Sequence, residues 1–250
     1  MVRVFALAVL ALLASPEGGG VMFAAEQIFL GRSAKAAPTA RFYVQDGLIA
    51  IWDGIENSGW GVHDASATTW KDLSGNGNDL TLMNGAHFDA NSLITAARNS
   101  VSALLPTRLP YATIEVCAFQ DASRNSSQLV CFGNSVNDSR MMSCGSKSIQ
   151  SMNGNHQITV PTSKATRTWA ATYPTDSSTI PYIDGQLATG TVTTNSWAPR
   201  NGPFGLSGSS NYQGWNFVGN YYCVRLYSRA LTADEIAANY AIDKERFNLP

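Results

Sequence analysis

The residues able to do chemistry in this chain are few, and their spacing argues for recognition over catalysis. Retaining glycoside hydrolysis needs two carboxylates about 5–5.5 Å apart, which alternate positions on one strand supply. Glu115 stands alone in Ile114-Glu-Val-Cys117, with Cys117 and Phe119 where further carboxylates belong. Asp234 and Glu235 read as helix-cap residues, and Asp243 and Glu245 as the exposed end of the same helix. The three histidines, His63, His87 and His156, are scattered, so no Ser-His-Asp set is indicated. The chain reads as non-enzymatic.

Two stretches bring aromatic rings together with polar side chains outside strand-like sequence. One holds Trp60, His63 and Asp64; the other holds Asn211, Tyr212 and Trp215, and Trp197, after a Thr-Thr-Asn-Ser stretch, is a further candidate. Sugars present C–H faces and hydroxyl rims, so flat rings beside amides and carboxylates suit them. Packing between loops is the competing use of the same tryptophans. Trp52, Trp70 and Trp169 lie inside strand patterns and belong to the core.

Asp72-Leu-Ser-Gly-Asn-Gly-Asn-Asp79 offers closely spaced oxygens with glycines between them. Calcium is the cation such a loop would take, with Asp72, Asn76 and Asp79 as ligands and Asp53 or Asp64 in support. The EF-hand order and its terminal Glu are missing. A glycine-rich turn in which Asp72 and Asn76 bond the backbone is the favoured alternative.

Of four cysteines, Cys117, Cys131 and Cys144 are spaced for a meander over residues 111–144, with turn-like sequence midway between successive pairs. At most one cross-strand disulfide among these three is then expected, the alternative being small residues that fill strand positions. There is no Cys-x-x-Cys, so zinc has little support.

The elements that must position these residues are mostly short strands. Charged residues make up 14% of the chain and hydrophobic ones 44%, with a net charge of −1. That charge content lies below the roughly 25% of ordinary soluble domains. With no clustered Lys and Arg, nucleic acid is excluded as a partner. Strand-like segments, separated by Gly, Asn, Pro and Ser, run from Gly47-Leu-Ile-Ala-Ile-Trp-Asp53 to Tyr221–Tyr227. Asp184-Gly185 is the strongest hairpin signal, because a type I′ turn needs positive φ at both central residues. Thr232 and Glu235 form a capping box ahead of one helix. The fold class is all-β: two antiparallel sheets packed face to face, with a short C-terminal helix.

Arg3 precedes the apolar run Val4–Ala14, too short to span a bilayer but suited to a signal-peptide core. Residues 1–40 therefore read as a signal peptide or an N-terminal leader or tether, and residues 41–250 as one domain. The expected location is secreted or cell surface, with membrane contact only through the N-terminal segment where it is retained.

Four phrases in order, "GLIAIWD", "WKDLSGNGNDLTL", "YIDGQL" and "VRLYSRALTADEIAANY", resemble the laminin-G-like, concanavalin A-like jelly rolls of bacterial surface proteins. The resemblance covers about residues 46–247. It implies that the first and last strands are neighbours and that one sheet forms a shallow concave face; residues 54–69 depart from the family's commoner pattern and read as an insertion. By analogy it implies a noncatalytic carbohydrate-binding or adhesion module, with a glycan or surface polysaccharide as partner. The alternatives are a structural surface protein that assembles with other proteins and a divergent glycoside hydrolase.

Overall fold

The computed structural model describes residues 39–95, 102–105, 109–120, 127–132, 140–144, 148–153, 156–161, 166–175, 178–194, 203–208 and 216–250. These fall in a compact unit, Ala37–Pro250. Its strands are β1 (Leu48–Asp53), β2 (Thr69–Trp70), β3 (Leu80–Leu82), β4 (His87–Phe88), β5 (Leu93–Thr95) and β6 (Ala103–Leu105). They continue with β7 (Thr113–Gln120), β8 (Ser127–Phe132), β9 (Arg140–Cys144), β10 (Ser148–Asn153), β11 (His156–Pro161) and β12 (Arg167–Thr172). The last are β13 (Ile180–Ile183), β14 (Gln186–Leu187), β15 (Thr191–Thr194), β16 (Phe204–Leu206) and β17 (Gly219–Tyr227), followed by helix α1 (Ala233–Arg246).

One sheet has eight strands in the order β14-β13-β12-β7-β17-β5-β4, with β1 also paired to β17. The other has nine, in the order β15-β11-β10-β9-β8-β16-β6-β3-β2. All named pairings within them are antiparallel. The sheets meet over a core that includes Trp52, Val116, Leu129, Phe204, Val224 and Leu226. Trp52 of one sheet stacks on Phe204 of the other at 5.1 Å between centroids. The first and last strands are neighbours, Trp52 facing Val224 and Ala50 facing Leu226.

Two bulges alter the strand faces read from the sequence. The register shifts between Leu48 and Ala50 and between Tyr221 and Cys223. A bulge inserts one residue and moves those before it to the other face. Tyr221 therefore joins the inter-sheet core, while Tyr222 lies on the outer face against Phe247. Leu48 likewise packs outside.

The expected meander is also corrected. β7 belongs to the eight-stranded sheet, whereas β8 and β9 belong to the other. Cys117 and Cys131 are thus on different sheets, and both are free thiols, as is Cys223. In β9 the partner of Cys131 is Arg140 and not Cys144, whose side chain lies outside the description. The expected disulfide among Cys117, Cys131 and Cys144 has no pair of facing cysteines to form it.

Thr232 and Glu235 make both bonds of the capping box. The Asp184-Gly185 turn has φ of 51° and 74°, and Ile183 pairs with Gln186 across it. The chain after this turn forms two short strands, β14 and β15, on opposite sheets. Gly190 sits where the chain crosses over: a Cβ there would lie 2.4 Å from the Thr159 carbonyl oxygen.

Helix α1 turns Ile236, Asn239 and Asp243 inward onto the outer face of the eight-stranded sheet. Asp243 is fully buried, contrary to the exposed position expected of it. Among the described residues, no helix is long and apolar enough to cross a membrane.

Candidate functional site

The loop after β1 is held from beneath. Asp53 Oδ1 accepts the backbone N–H groups of Ile55 and Glu56 at 2.9 and 3.0 Å, which turns the chain as it leaves the sheet. The same oxygen accepts from Arg246 Nη2 at 2.8 Å, tying the loop to the end of α1. Asp53 is fully buried, and burial pushes its carboxyl above the ordinary range against the pull of Arg246. Buried Asn57 then clamps the loop on itself. Its Oδ1 accepts from Asp64 N and its Nδ2 donates to Asp64 O, both at 2.8 Å.

On this frame Trp60 is half-buried, and His63 and Asp64 are exposed. His63 Nδ1 lies 3.1 Å from the Gly54 carbonyl oxygen, which can only accept, so Nδ1 carries the proton in that bond. Asp64 Oδ1 accepts from the Ser66 hydroxyl at 2.6 Å and the Ser66 N–H at 2.8 Å. These bonds hold its carboxyl below the ordinary aspartate range, so it presents a charge. The Arg41 guanidinium lies 4.8 Å from the Trp60 ring centre, over its face. Trp60 also packs on the outer cluster that holds Tyr43, Ile51 and Leu73. The structure thus places Trp60, His63 and Asp64 on one loop, His63 close to Asp64, and sets Arg41 over Trp60, a member that sequence reasoning missed because it borders the presumed leader. Asn211, Tyr212 and Trp215, and Trp197 with them, lie outside the described residues.

The Asp72–Asp79 loop is built as a turn. Asp72 Oδ1 accepts from Ile51 N and Ser74 N, and Oδ2 from Ser74 Oγ and Asn78 N, at 2.8–3.0 Å. Asn76 Nδ2 donates to the Leu48 and Ile49 carbonyls. Asp79 accepts from Asp72 N and pairs with Lys71 at 2.6 Å. A cation needs oxygens aimed at one common centre, whereas those of Asp72 are each filled by two donors, so this arrangement does not fit calcium. Among the described residues, no three His, Cys, Asp or Glu side chains are gathered to hold a metal ion.

Glu115 is fully buried beneath α1. Arg225 Nε donates to its Oε2 at 2.8 Å, and Asn239 Nδ2 to the same oxygen at 2.7 Å. The Arg225 fork holds Asp243 at 2.6 and 2.8 Å. This is a network that docks the helix, closed to any substrate.

Comparison with curated protein sequences finds no match. Among solved structures, the sialidase of Trypanosoma rangeli in complex with sialic acid aligns at a TM-score of 0.58 and 18% identity, over 84% of this chain and 34% of that one. The same enzyme with 2,3-difluorosialic acid, a covalent intermediate, aligns at 0.59 with the same identity and coverage. The chain therefore spans about a third of the sialidase's length, and a likeness at this identity speaks for the fold alone. The CBM40 of Ruminococcus gnavus IT-sialidase, bound to α2,3-sialyllactose, aligns more loosely, at 0.45 and 12% identity over 59% of this chain and 95% of that one. The family profile of the concanavalin A-like lectin/glucanases superfamily, in its laminin-G form, matches residues 84–237, more than half of the chain. With the antiparallel sandwich in place, the conclusion is plain: the chain belongs to the concanavalin A-like lectin/glucanases superfamily.

Proposed function

We propose that this is a noncatalytic carbohydrate-binding or adhesion module of an exported protein, located in the secreted fraction or at the cell surface. The observation that carries the reading is the hydrogen-bonded loop over residues 54–69, which carries a half-buried tryptophan, an exposed histidine and an ionised aspartate. An aromatic ring carried on the same loop as an imidazole nitrogen and a carboxylate is a combination that suits a saccharide rim. The buried positions of Glu115 and Asp53, the carboxylates on the described strands, support a noncatalytic role. A glycan is the partner this site suits, and calcium is an additive to be tested with it. The sialic acid in the sialidase complexes makes sialylated glycans one class to include.

One preparation tests both parts. The full chain is produced in an exporting host, and the intact mass of the secreted protein is expected to lack the Val4–Ala14 run. The same protein on a broad glycan array, with and without calcium, should bind at micromolar to millimolar strength, about −8 to −4 kcal/mol. His63→Ala should weaken binding about tenfold while costing no more than about 1 kcal/mol of stability, because the exposed side chain gives up a single bond, to the Gly54 carbonyl. A wild type that binds no glycan would defeat the reading.

A second reading, a structural module that assembles with other proteins, is favoured by one edge of the sandwich. Every residue of β15 is exposed, and Val192 and Leu187 are 53% and 64% exposed on β15 and β14, edge strands of the two different sheets. An uncovered edge is a template for another strand. Self-association in sedimentation, without glycan binding, would select it.

A further inference from the structure

The bulge before Cys223 brings two cysteines together that the sequence keeps far apart. Cys117 of β7 and Cys223 of β17 are direct partners in the antiparallel register. Both are fully buried free thiols in one packed cluster on the outer face of the sheet. Residues directly opposed in such a pair have Cα atoms about 4.5–5.5 Å apart and side chains on the same side. A disulfide needs roughly 4.4–6.8 Å. Cys131 is on the other sheet, so the register itself selects the pair.

We propose that Cys117 and Cys223 form a disulfide when the chain folds in an oxidising compartment. Two S–H bonds break, one S–S bond forms, and two protons and two electrons leave. The electrons go to a disulfide oxidant, such as oxidised glutathione or a dithiol-disulfide oxidoreductase. One thiolate first forms a mixed disulfide with the oxidant, and the second displaces it. In the finished domain burial pushes both thiols above the ordinary thiol range, so the attacking thiolate is scarce. The bond therefore forms as β17 docks on β7, before α1 covers the pair. It would close a loop of roughly 100 residues and tie the last strand to the middle of its sheet. Glycan binding by the 54–69 loop is independent of this step.

The full chain is unfolded in reductant, refolded with reduced and oxidised glutathione, then denatured in an alkylating agent and mapped by mass spectrometry. The expected result is one joined peptide pair holding Cys117 and Cys223, with Cys131 alkylated. The unfolding midpoint should lie about 5–15 °C above that of the same protein kept reduced. Cys117→Ser should lose the joined pair and the gain together, whereas Cys131→Ser should keep both. Should refolding yield little native protein, chain taken from an oxidising periplasm is mapped in the same way. Native protein with Cys117 and Cys223 both alkylated would overturn the proposal, as would either of them joined to Cys131 or Cys144.

Discussion

At Arg225 one guanidinium answers two carboxylates, Glu115 and Asp243, with all three side chains out of water. The Tyr43 ring lies 4.1 Å from the guanidinium, and the Tyr43 hydroxyl donates to Asp243 at 2.7 Å. Asp243 takes both prongs of the fork, so Glu115 is the less compensated partner, and its Oε1 has no hydrogen bond. Burial consequently pushes the Glu115 carboxyl up, and Arg225 offsets only part of the rise. Arg225→Met should cost about 3–5 kcal/mol, because it strands two buried carboxylates. The sign for Glu115 is set by its raised folded value. Its stabilising share is whole below pH 4.5, its unfolded value, and is lost as pH rises through the folded value. Glu115→Gln should therefore gain on the wild type between pH 4 and 7 in urea melts, and a constant difference would contradict this origin. None of this was legible in the sequence. Arg225 alternates with apolar residues as a solvent-facing side chain does, and Asp243 sits in a polar helix tail. Their burial follows from α1 covering the strand face, a tertiary fact.

Among the elements, α1 shows why some features were legible and others not. Thr232 and Glu235 cap the helix through bonds three residues apart, and local bonds leave a local signature. Arg229 adds a two-pronged bond to Glu235, at 2.8 and 2.5 Å. That bond, with the Thr232 donors, holds the Glu235 carboxyl at about 2. A depressed value contributes stability above the unfolded value, near 4.5, and loses it as pH falls towards 2. Glu235→Gln should lower stability by about 1 kcal/mol at pH 7 and show a shallower acid loss than the wild type between pH 4.5 and 2. Equal acid slopes in the two proteins would remove Glu235 from the account. The Asp184-Gly185 hairpin was legible for the same local reason. The cysteine meander failed because the chain between β7 and β8 passes from one sheet to the other, and short strands carry no mark of which sheet they join. The bulges at Leu48–Ala50 and Tyr221–Cys223 were invisible too, since apolar residues fill both faces there. In the candidate site, Trp60, His63 and Asp64 stood out as unusual loop residues, whereas Asn57 and Arg41 act through partners that only the fold supplies.

The whole molecule is closed by its last strand. β17 pairs along its length with β7, and along its other edge with β5 and then β1. One nine-residue strand thereby joins both ends of the domain to the middle of a sheet, and its inward side chains face the opposite sheet. Leu226 is the most telling of these. It lies between Ala50 and Ile114 in register, is fully buried, and belongs to the inter-sheet core. Leu226→Ala should cost about 2–5 kcal/mol, the range for emptying a packed leucine site. Leu187 is the control: it is 64% exposed on the edge strand β14, and its replacement by Ala should change stability by less than about 0.5 kcal/mol. Chemical denaturation of the two variants, with equal m-values, separates core from edge. If Leu226→Ala also falls within about 0.5 kcal/mol of the wild type, the last strand does not close the sandwich as drawn. A large loss confined to Leu226 would mean that the first and last strands are held by one continuous core. The loop carrying Trp60 leaves the sheet directly from the end of β1, so its geometry then depends on the closure that Leu226 maintains.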